Sequence, residues 1–308
     1  MTAGVGARLL EGAPFAEDIR AGVVRDVATY TAEQGHPPGL AVVICGRDAP
    51  SMVYLERILK GCAKAGIAGE LVEIPADHPA AREQELTAAI RRLNEDPLVS
   101  GIIVQLPLPP GIHLRAVVDA IDPGKDIDGI HPLNAGLVRL GYEGFVPATA
   151  HAAMEMLHRS ETRIAGADAV VIGRSPVVGM PVATMLTRES ATVTVCHRQT
   201  GDLAAEVRRA DIVVVAAGHP GLVTGAMLKP GAVVIDVGIN VVDGHIVGDV
   251  DFASAREVAA AITPVPGGVG PLTNALLLAH LMRAAQRQVA ERRAAGSGSS
   301  PASSGAAS

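Results

Sequence analysis

The first half of the chain alternates continuous apolar runs with amphipathic stretches. GLAVVICG at 39–46 is a β-branched run of the kind that forms a buried parallel strand. Further strands are predicted at 69–77 and 99–109, and helices are predicted at 51–65 and 80–96. Repeated strand–helix units of this kind predict a parallel sheet covered by helices.

The alternation is interrupted once and then begins again. Residues 121–136 are rich in Asp, Pro and Gly and lack periodicity, which predicts a functional loop. A helix at 150–160 is predicted to cross to a second domain, and 264–273 is a Gly/Pro-rich loop before a closing helix. The other predicted elements of the second half are strands at 167–173, 191–197, 211–218 and 232–240 and a helix at 201–210. The pattern therefore predicts an α/β protein of two domains.

Composition narrows the function classes. The 308 residues are enough for two domains, and their 2% aromatic content predicts a core of Ala, Val, Ile and Leu. A net charge of −6 lacks the basic excess of a nucleic-acid surface. No metal site is predicted. The three cysteines are too widely spaced for a metal-ligand motif, at Cys45, Cys62 and Cys196. A metal shared by Asp249 and Asp251 is not expected either, because the two side chains point opposite ways along an extended segment.

No targeting or membrane segment is predicted. The first residues lack a basic region followed by a long apolar run, and no stretch is apolar enough to span a membrane. Together with the sparse cysteines, this favours a reducing cytoplasm. The small and polar residues that end the chain predict a disordered tail over 293–308.

A glycine-containing loop between a strand and a helix is a candidate phosphate site. Strand 167–173 leads into Gly173, Arg174 and Ser175, and the next helix begins near Gly179. Glycines at such a turn let the backbone approach a pyrophosphate, which the free N–H groups of the helix then bind. The spacing differs from GxGxxG, so an ordinary strand–helix turn is the alternative interpretation.

The next strand indicates which dinucleotide binds. It ends in His197 and Arg198 and lacks the acidic residue that holds a ribose 2′-hydroxyl in NAD sites. A 2′-phosphate is attracted by arginine, and Arg174 supplies a second cation. NADP is therefore predicted, although a solvated surface charge is the alternative for Arg198.

Seven long segments occur in a characteristic order. They are GIIVQLPLP (101–109), KDIDGIHPLNAG (125–136), VIGRSPVVGMP (171–181), ATVTVCH (191–197), VIDVGIN (234–240), GDVD (248–251) and TPVPGGVGPLT (263–273). Over about residues 5–285 the chain resembles the methylenetetrahydrofolate dehydrogenase/cyclohydrolase family, also called FolD. The resemblance implies a catalytic domain of residues 1–148 completed by a helix at 274–292, an NADP-binding Rossmann domain of 149–273, and a homodimer.

The family's tyrosine–lysine motif is altered. The resemblance places Tyr54 on the catalytic tyrosine but Ile58 on the lysine four residues later. Lys60 is an unlikely substitute, because two residues further along a helix it is rotated by about 200°. We expect Lys60 to be an exposed partner of Glu56.

The remaining site residues are implied by the resemblance. Gln105 matches the glutamine that partners the lysine, and Asp128 matches the carboxylate that holds the pterin ring, with an Asx-type turn as its structural alternative. Gly267, Gly268 and Pro271 match the loop beside the folate. The implied cofactor-binding residues are Gly173, Arg174, Ser175, Gly179, His197, Arg198, Gly218, Pro220 and Ile239.

The family's two reactions place different demands on residue 58. Transfer of hydride from 5,10-methylenetetrahydrofolate to NADP⁺ needs positioning rather than a protein base. Opening the methenyl ring with water needs a proton shuttle, which isoleucine cannot provide. We therefore expect a dehydrogenase of one-carbon metabolism with weak or lost cyclohydrolase activity.

Two alternatives come from the departures on the substrate side. Ile58, Ala148, Ala150 and Asn274 could reshape the pocket for another substrate in specialised metabolism. The chain could also be a non-catalytic protein that binds folate or NADP. Reduction of NADP⁺ by methylenetetrahydrofolate separates the first interpretation from both others.

Overall fold

The chain forms two parallel sheets with helices packed against them. The structure is a computed structural model that describes residues 6–46, 49–75 and 79–297. The strands are β1 (Arg8–Leu9), β2 (Gly39–Cys45), β3 (Ala68–Ile74), β4 (Val99–Val104), β5 (Asp168–Ile172), β6 (Thr192–Cys196), β7 (Ile212–Val215), β8 (Val233–Asp236), β9 (Asn240–Val242), β10 (His245–Val247) and β11 (Ala261–Ile262). The helices are α1 (Gly12–Gln34), α2 (Ala49–Ala65), α3 (Pro79–Glu95), α4 (Leu114–Asp119), α5 (Pro132–Leu140), α6 (Ala148–Arg159), α7 (Gly179–Arg188), α8 (Leu203–Arg208), α9 (Phe252–Arg256) and α10 (Val269–Ser297), with a 3₁₀ turn at Gly225–Met227.

The smaller sheet has the strand order β3-β2-β4, with all neighbours parallel. Every residue of β2 and β4 is buried, which agrees with their continuous apolar sequences. The larger sheet has the order β1-β11-β8-β7-β5-β6, and its strands are also parallel. The predicted two-domain α/β architecture is confirmed.

Helix α10 joins the two hydrophobic cores. Its first turns contribute Leu272 and Leu276 to the core beneath the larger sheet. Its later turns contribute Leu277 and Leu281 to the core beneath the smaller sheet, where α10 also packs on α1. The last helix therefore returns to the first domain, as predicted.

Four predicted strands have clearly different bounds in the structure, and one of them, predicted at 211–218, is only Ile212–Val215. The strand predicted at 99–109 ends at Val104, and a cis peptide bond joins Leu106 to Pro107. The strand predicted at 69–77 ends at Ile74, and residues 76–78 lie outside the described part of the chain. The strand predicted at 232–240 is two elements, because the chain leaves β8 after Asp236 and pairs β9 with β10 as an antiparallel hairpin.

Helices occupy parts of both predicted loops. Helix α5 begins inside 121–136, where Pro132 fills its first turn and the His131 ring accepts a hydrogen bond from the Leu133 N–H. Helix α10 begins inside 264–273, because proline and glycine are tolerated in a first helical turn. It also continues to Ser297, so the prediction that the tail begins at 293 is wrong, and residues after 297 are outside those described.

None of the helices in residues 6–46, 49–75 and 79–297 is both long enough and apolar enough to cross a membrane.

Candidate active site

The loop between β5 and α7 brings strand and helix backbones close together. Gly173 has a φ of 118°, and a Cβ there would collide with the Ala216 carbonyl. A Cβ on Gly179 would collide with the Gly173 carbonyl. Ser175 Oγ accepts a hydrogen bond from the Val178 N–H at 3.1 Å, which closes the turn. Such a cradle fits a pyrophosphate at the N-terminus of α7.

The predicted dinucleotide residues lie at one edge of the larger sheet. Ile172 at the end of β5 is in register with Cys196 of β6 and Val215 of β7. The loops that carry Gly173, His197 and Gly218 therefore leave adjacent strands side by side. Ligands of open α/β sheets bind at this carboxyl edge.

Two arginines at this edge are open to solvent. Arg174 and Arg198 are both exposed, and neither has an ion pair with a carboxylate among the described residues. The His197 N–H donates to Thr200 Oγ1 at 2.9 Å, and His197 Nδ1 accepts from the Gln199 N–H at 3.3 Å. The end of β6 thus offers cations and no carboxylate, which fits a 2′-phosphate.

A buried carboxylate organises the loop after β7. Asp249 Oδ2 accepts hydrogen bonds from the N–H groups of Ala217 and Gly218, at 2.6 and 2.8 Å. Asp249 Oδ1 accepts from the His219 N–H and from Asn240 Nδ2, both at 2.8 Å. The backbone around Gly218 is therefore fixed by one side chain.

A cleft of about 620 Å³, here called the main cleft, lies between the two sheets' loops. Its walls include the predicted folate-loop residues Gly267, Gly268 and Pro271. Of the predicted cofactor-binding residues, Ile239 is the one that lies on the described walls. Arg20, Arg57, Thr149, Asp236 and Asn274 also line it. Its volume is in the range of small-molecule sites.

Asp128 is not among the described residues that line the main cleft, but it contacts the segment next to one of its wall residues. Its carboxylate accepts a hydrogen bond from the N–H of Ala148, whose neighbour Thr149 is on the cleft wall. Burial raises the pKa of Asp128 to about 7, and the negative charge of Asp126 raises it further. Asp128 therefore keeps its proton to a higher pH than an ordinary carboxyl group.

A stacked histidine pair anchors the segment that carries Asp128. His280 Nδ1 donates to the Ile127 carbonyl at 2.9 Å, so His280 Nε2 accepts from His151 Nδ1, also at 2.9 Å. Burial lowers the pKa of His280 to about 3, with a further contribution from His151. The pair is neutral, and it fastens α10 to the loop before Asp128.

The other predicted catalytic residues are only partly located. Gln105 directly follows β4, and its backbone N–H donates to the carbonyl of Val43 in β2. Gln105 Nε2 donates to the Leu106 carbonyl at 2.6 Å. Gln105 is not among the described residues that line the main cleft. The backbone of Tyr54 belongs to α2, whereas its side chain lies outside the described residues.

Ile58 belongs to the hydrophobic core. It is 3% exposed and clusters with Leu55, Cys62 and Leu278. Ile58 also lines a second pocket of about 420 Å³, which adjoins the main cleft. The Lys60 side chain is 74% exposed and contacts Glu56 at 3.4 Å, so the expected surface pair is confirmed.

Only some of the unusual substitutions contact a pocket. Ala148 and Ala150 are completely buried in the cores, so they do not shape the described cleft walls. Asn274 lines both the main cleft and the second pocket, and its Oδ1 is buried without a hydrogen-bond partner among the described residues. Of these four residues, only Asn274 and Ile58 therefore line a described pocket.

Comparison with known proteins agrees with this geometry. The catalytic domain of the family Tetrahydrofolate dehydrogenase/cyclohydrolase matches residues 10–128, and its NAD(P)-binding domain matches residues 147–289. The chain belongs to this family. The resemblance seen in the sequence is thereby confirmed.

Individual relatives match over nearly their whole length. Bifunctional protein FolD of Bordetella petrii is 51% identical over 283 residues, covering 92% of this chain and 95% of that protein. The FolD crystal structure from Campylobacter jejuni has a TM-score of 0.88 at 40% identity, covering 92% of this chain and 99% of that one. The Trypanosoma brucei enzyme, complexed with NADP cofactor and inhibitor, has a TM-score of 0.87 at 41% identity, with coverages of 93% and 99%.

Sequence reasoning missed several residues of this candidate site. Arg20 and Arg57 reach the main cleft from α1 and α2, and Asp249 supports the loop after β7. The clustering of Arg20 with Arg57 depends on tertiary packing and leaves no local signal. Asp249 had a signal, since an acidic residue in an apolar segment has to be satisfied by hydrogen bonds when it is buried.

Proposed function

We propose that this protein is an NADP-dependent 5,10-methylenetetrahydrofolate dehydrogenase of one-carbon metabolism whose methenyltetrahydrofolate cyclohydrolase activity is weak or absent. The carrying observation is the 3% exposure of Ile58, an aliphatic residue that the sequence resemblance places at the family lysine position. Among the described side chains of helix α2, the lysine nearest to Ile58 in sequence is Lys60, which is exposed and pairs with Glu56.

The dehydrogenase reaction makes modest demands on these side chains. NADP⁺, when bound, accepts the hydride of the folate methylene group. The cradle of Gly173, Ser175 and Gly179 is suited to its pyrophosphate, and Arg174 and Arg198 are suited to its 2′-phosphate. Asp128 and the glycine loop at 267–268 are proposed to orient the folate, so that positioning supplies most of the rate.

The cyclohydrolase reaction requires a group that takes up and releases protons at the substrate. Arg20 and Arg57 line the main cleft, but guanidinium groups stay protonated and cannot shuttle. Asp236 also lines it, with its pKa raised to about 6 by burial, yet its carboxylate accepts the N–H groups of Gly238, Asp249 and Val250. None of the described wall residues therefore replaces the lysine.

Two optical assays on purified protein test this proposal. One follows NADP⁺ reduction by methylenetetrahydrofolate, and the other follows loss of methenyltetrahydrofolate above its spontaneous hydrolysis. We expect reduction without accelerated hydrolysis. Ile58→Lys is expected to gain hydrolysis by about 10²-fold, the lower range for a general acid–base group.

Ile58→Met is the matched control, because it keeps an apolar side chain of similar volume and supplies no proton. Hydrolysis gained by Ile58→Lys and not by Ile58→Met attributes the lost activity to one side chain. Full hydrolysis by the unmodified protein would contradict the proposal. Absence of both activities would favour a recruited substrate or a binding protein.

The proposed domains are 1–148 with 274–292, and 149–273. Buried residues support the boundary after 148, since Ala148 belongs to one core and Ala150 to the other, whereas β1 and Leu276 contribute to the larger sheet and its core.

The proposal includes a cytoplasmic homodimer formed through the Rossmann domain. The hairpin of β9 and β10 supports a dimer, because it exposes Val241 and Ile246. Light scattering tests it, with Val241→Asp expected to yield monomers.

A further inference from the structure

Two histidines join three segments that surround the candidate site. His280 Nδ1 lies 2.9 Å from the Ile127 carbonyl oxygen, and His280 Nε2 lies 2.9 Å from His151 Nδ1. His280 is on α10 and His151 is on α6, whereas Ile127 directly precedes Asp128 in the loop before α5. We name His151 and His280 the histidine bridge. It connects the first domain, the crossover helix and the last helix of the structure.

The bridge has a single arrangement of donors and acceptors. A carbonyl oxygen only accepts, so the His280 ring carries its proton on Nδ1. The neutral His280 Nε2 then accepts, and His151 Nδ1 is the donor. A second proton on His280 would place two donors against each other, and burial lowers the pKa of His280 to about 3. The orientation of the Ile127 carbonyl is therefore fixed by a neutral pair.

The segments that the bridge joins continue into the candidate site. Asp128 directly follows Ile127 and is half-buried, and its carboxylate accepts the N–H of Ala148 at the start of α6. Asn274 lines the main cleft from the same helix that carries one of the bridge histidines. Asp128 is thus tied to α6 twice, directly through Ala148 and indirectly through Ile127 and the bridge.

Packing alone does not require two imidazoles at this place. The surrounding core consists of apolar side chains such as Phe145, Leu277 and Leu281, and another apolar residue would fill the space without the cost of burying polar atoms. What an apolar residue cannot supply is a donor for the carbonyl that precedes Asp128. The bridge therefore serves the backbone of that carboxyl group.

We propose that the histidine bridge positions Asp128 for the folate substrate. This inference rests on the proposed function, in which Asp128 orients the folate, and it adds His280 and His151 as positioning residues. Neither histidine is among the described residues that line the main cleft, so both act through the Ile127 carbonyl.

Steady-state kinetics of full-length variants test the bridge. His280→Leu keeps an apolar side chain of similar size and removes the donor to Ile127. The kcat/KM for methylenetetrahydrofolate should fall by about 10²-fold, the effect of displacing a substrate contact by about 1 Å. The Kd of NADP⁺ should stay the same, because the dinucleotide loops lie at the carboxyl edge of the larger sheet. The amount of NADP⁺ bound also counts the folded protein, so unfolding is not mistaken for lost positioning.

A conservative variant and a matched control separate positioning from packing. His280→Asn keeps an amide N–H donor close to the place of Nδ1, so it should recover most of the lost kcat/KM. Gln288→Leu is the control, because Gln288 is also on α10 and its side chain donates to a backbone carbonyl, that of Ser100. It should leave kcat/KM unchanged. Equal losses in Gln288→Leu and His280→Leu would mean that the bridge only holds α10 in place, which overturns the proposal.

Nitrogen NMR spectra of the histidine rings test the bridge without a substitution. In the unmodified protein His280 should carry one proton, on Nδ1, and a proton on Nε2 would overturn the proposal. This measurement decides the question if His280→Leu fails to fold. His151→Leu is a second, milder variant, because it removes the partner of His280 Nε2 and leaves the bond to Ile127.

Equilibrium titration with tetrahydrofolate distinguishes this inference from the proposed function. His280→Leu should raise the Kd of tetrahydrofolate by about 10-fold, the effect of one lost hydrogen bond. An unchanged Kd and an unchanged kcat/KM overturn the bridge, and the dehydrogenase stands if NADP⁺ is still reduced. A raised Kd without any NADP⁺ reduction by the unmodified protein overturns the dehydrogenase alone. Failure of the unmodified protein to bind tetrahydrofolate overturns both.

Discussion

Asp236 Oδ1 accepts a hydrogen bond at 3.0 Å from the backbone N–H of Asp249. Asp249 in turn accepts the N–H groups of residues 217–219. The two carboxylates thus form a chain of contacts from the main cleft to the loop after β7. Because Asp249 is fully buried, this loop is positioned by a group that contacts no solvent.

Asp249→Asn tests the role of this carboxylate. An amide nitrogen in place of either oxygen leaves two donors unsatisfied, which should lower the free energy of unfolding by about 3 kcal/mol. The KM for NADP⁺ should rise by about 10-fold, because a positioning loss of about 1.4 kcal/mol has that effect. Asp243→Asn is the control, because Asp243 lies at an exposed turn. Its free energy of unfolding should change by less than about 0.5 kcal/mol. Equal stability of the two variants would contradict the assigned role.

Asp128 should make stability depend on pH. Its pKa is raised from 3.8 to about 7 by burial and then by Asp126, so the folded state holds a proton that the unfolded state releases. The free energy of unfolding should therefore fall as pH rises from about 4 to about 7 and change little from this group above that range.

Urea denaturation across this pH range measures the effect. Asp128→Asn cannot ionise, so its profile should be flatter than that of the unmodified protein. Asp26→Asn, on the exposed side of α1, should keep the original slope. A slope unchanged by Asp128→Asn would show that this carboxyl group is not the one that titrates.

Gly179→Ala should damage the dinucleotide loop. Its new Cβ would meet the Gly173 carbonyl, and relief requires the loop to move away from α7. Overpacking of this kind costs about 1–3 kcal/mol of stability, and the KM for NADP⁺ should rise with it. Gly136→Ala adds the same methyl group to α5 with nothing within 4 Å, so it should leave the KM unchanged and stabilise the fold slightly.

Arg198→Gln should weaken the choice of NADP over NAD. Loss of a charge-assisted hydrogen bond to phosphate, about 1.5 kcal/mol, should lower kcat/KM for NADP⁺ by about 10-fold and leave NAD⁺ nearly unaffected. Arg208→Gln, an exposed arginine on α8, is the control. Equal losses with both cofactors would mean that Arg198 does not contact the 2′-phosphate.

Local sequence patterns were sufficient for the buried strands. The strand predicted at 39–46 agrees with β2 to within one residue. The agreement is good because a continuous β-branched run has few alternatives to a buried parallel strand. The sequence pattern does not predict the starts of α5 and α10, because proline and glycine usually break helices, whereas Pro132 and Pro271 lie in first helical turns.

The residues of the candidate site also differ in whether the sequence predicts their positions. Residues that follow a strand, such as Gly173 and His197, could be placed together from the rule that parallel strands end at one edge. The second pocket could not be predicted, because Arg20 and Lys64 meet only after α1 and α2 pack together. Tertiary contacts of this kind carry no periodicity or spacing in the sequence.

Helix α10 places a requirement on synthesis as well as on architecture. Leu272 and Leu276 complete one core, and Leu277 and Leu281 complete the other, yet all of them follow the strands of both sheets in the sequence. Domains generally fold as units while the chain emerges from the ribosome. Here the first domain lacks a buried helix until the strands of the second domain have been synthesised. The nascent N-terminal half therefore keeps apolar surface uncovered while the ribosome makes the second domain.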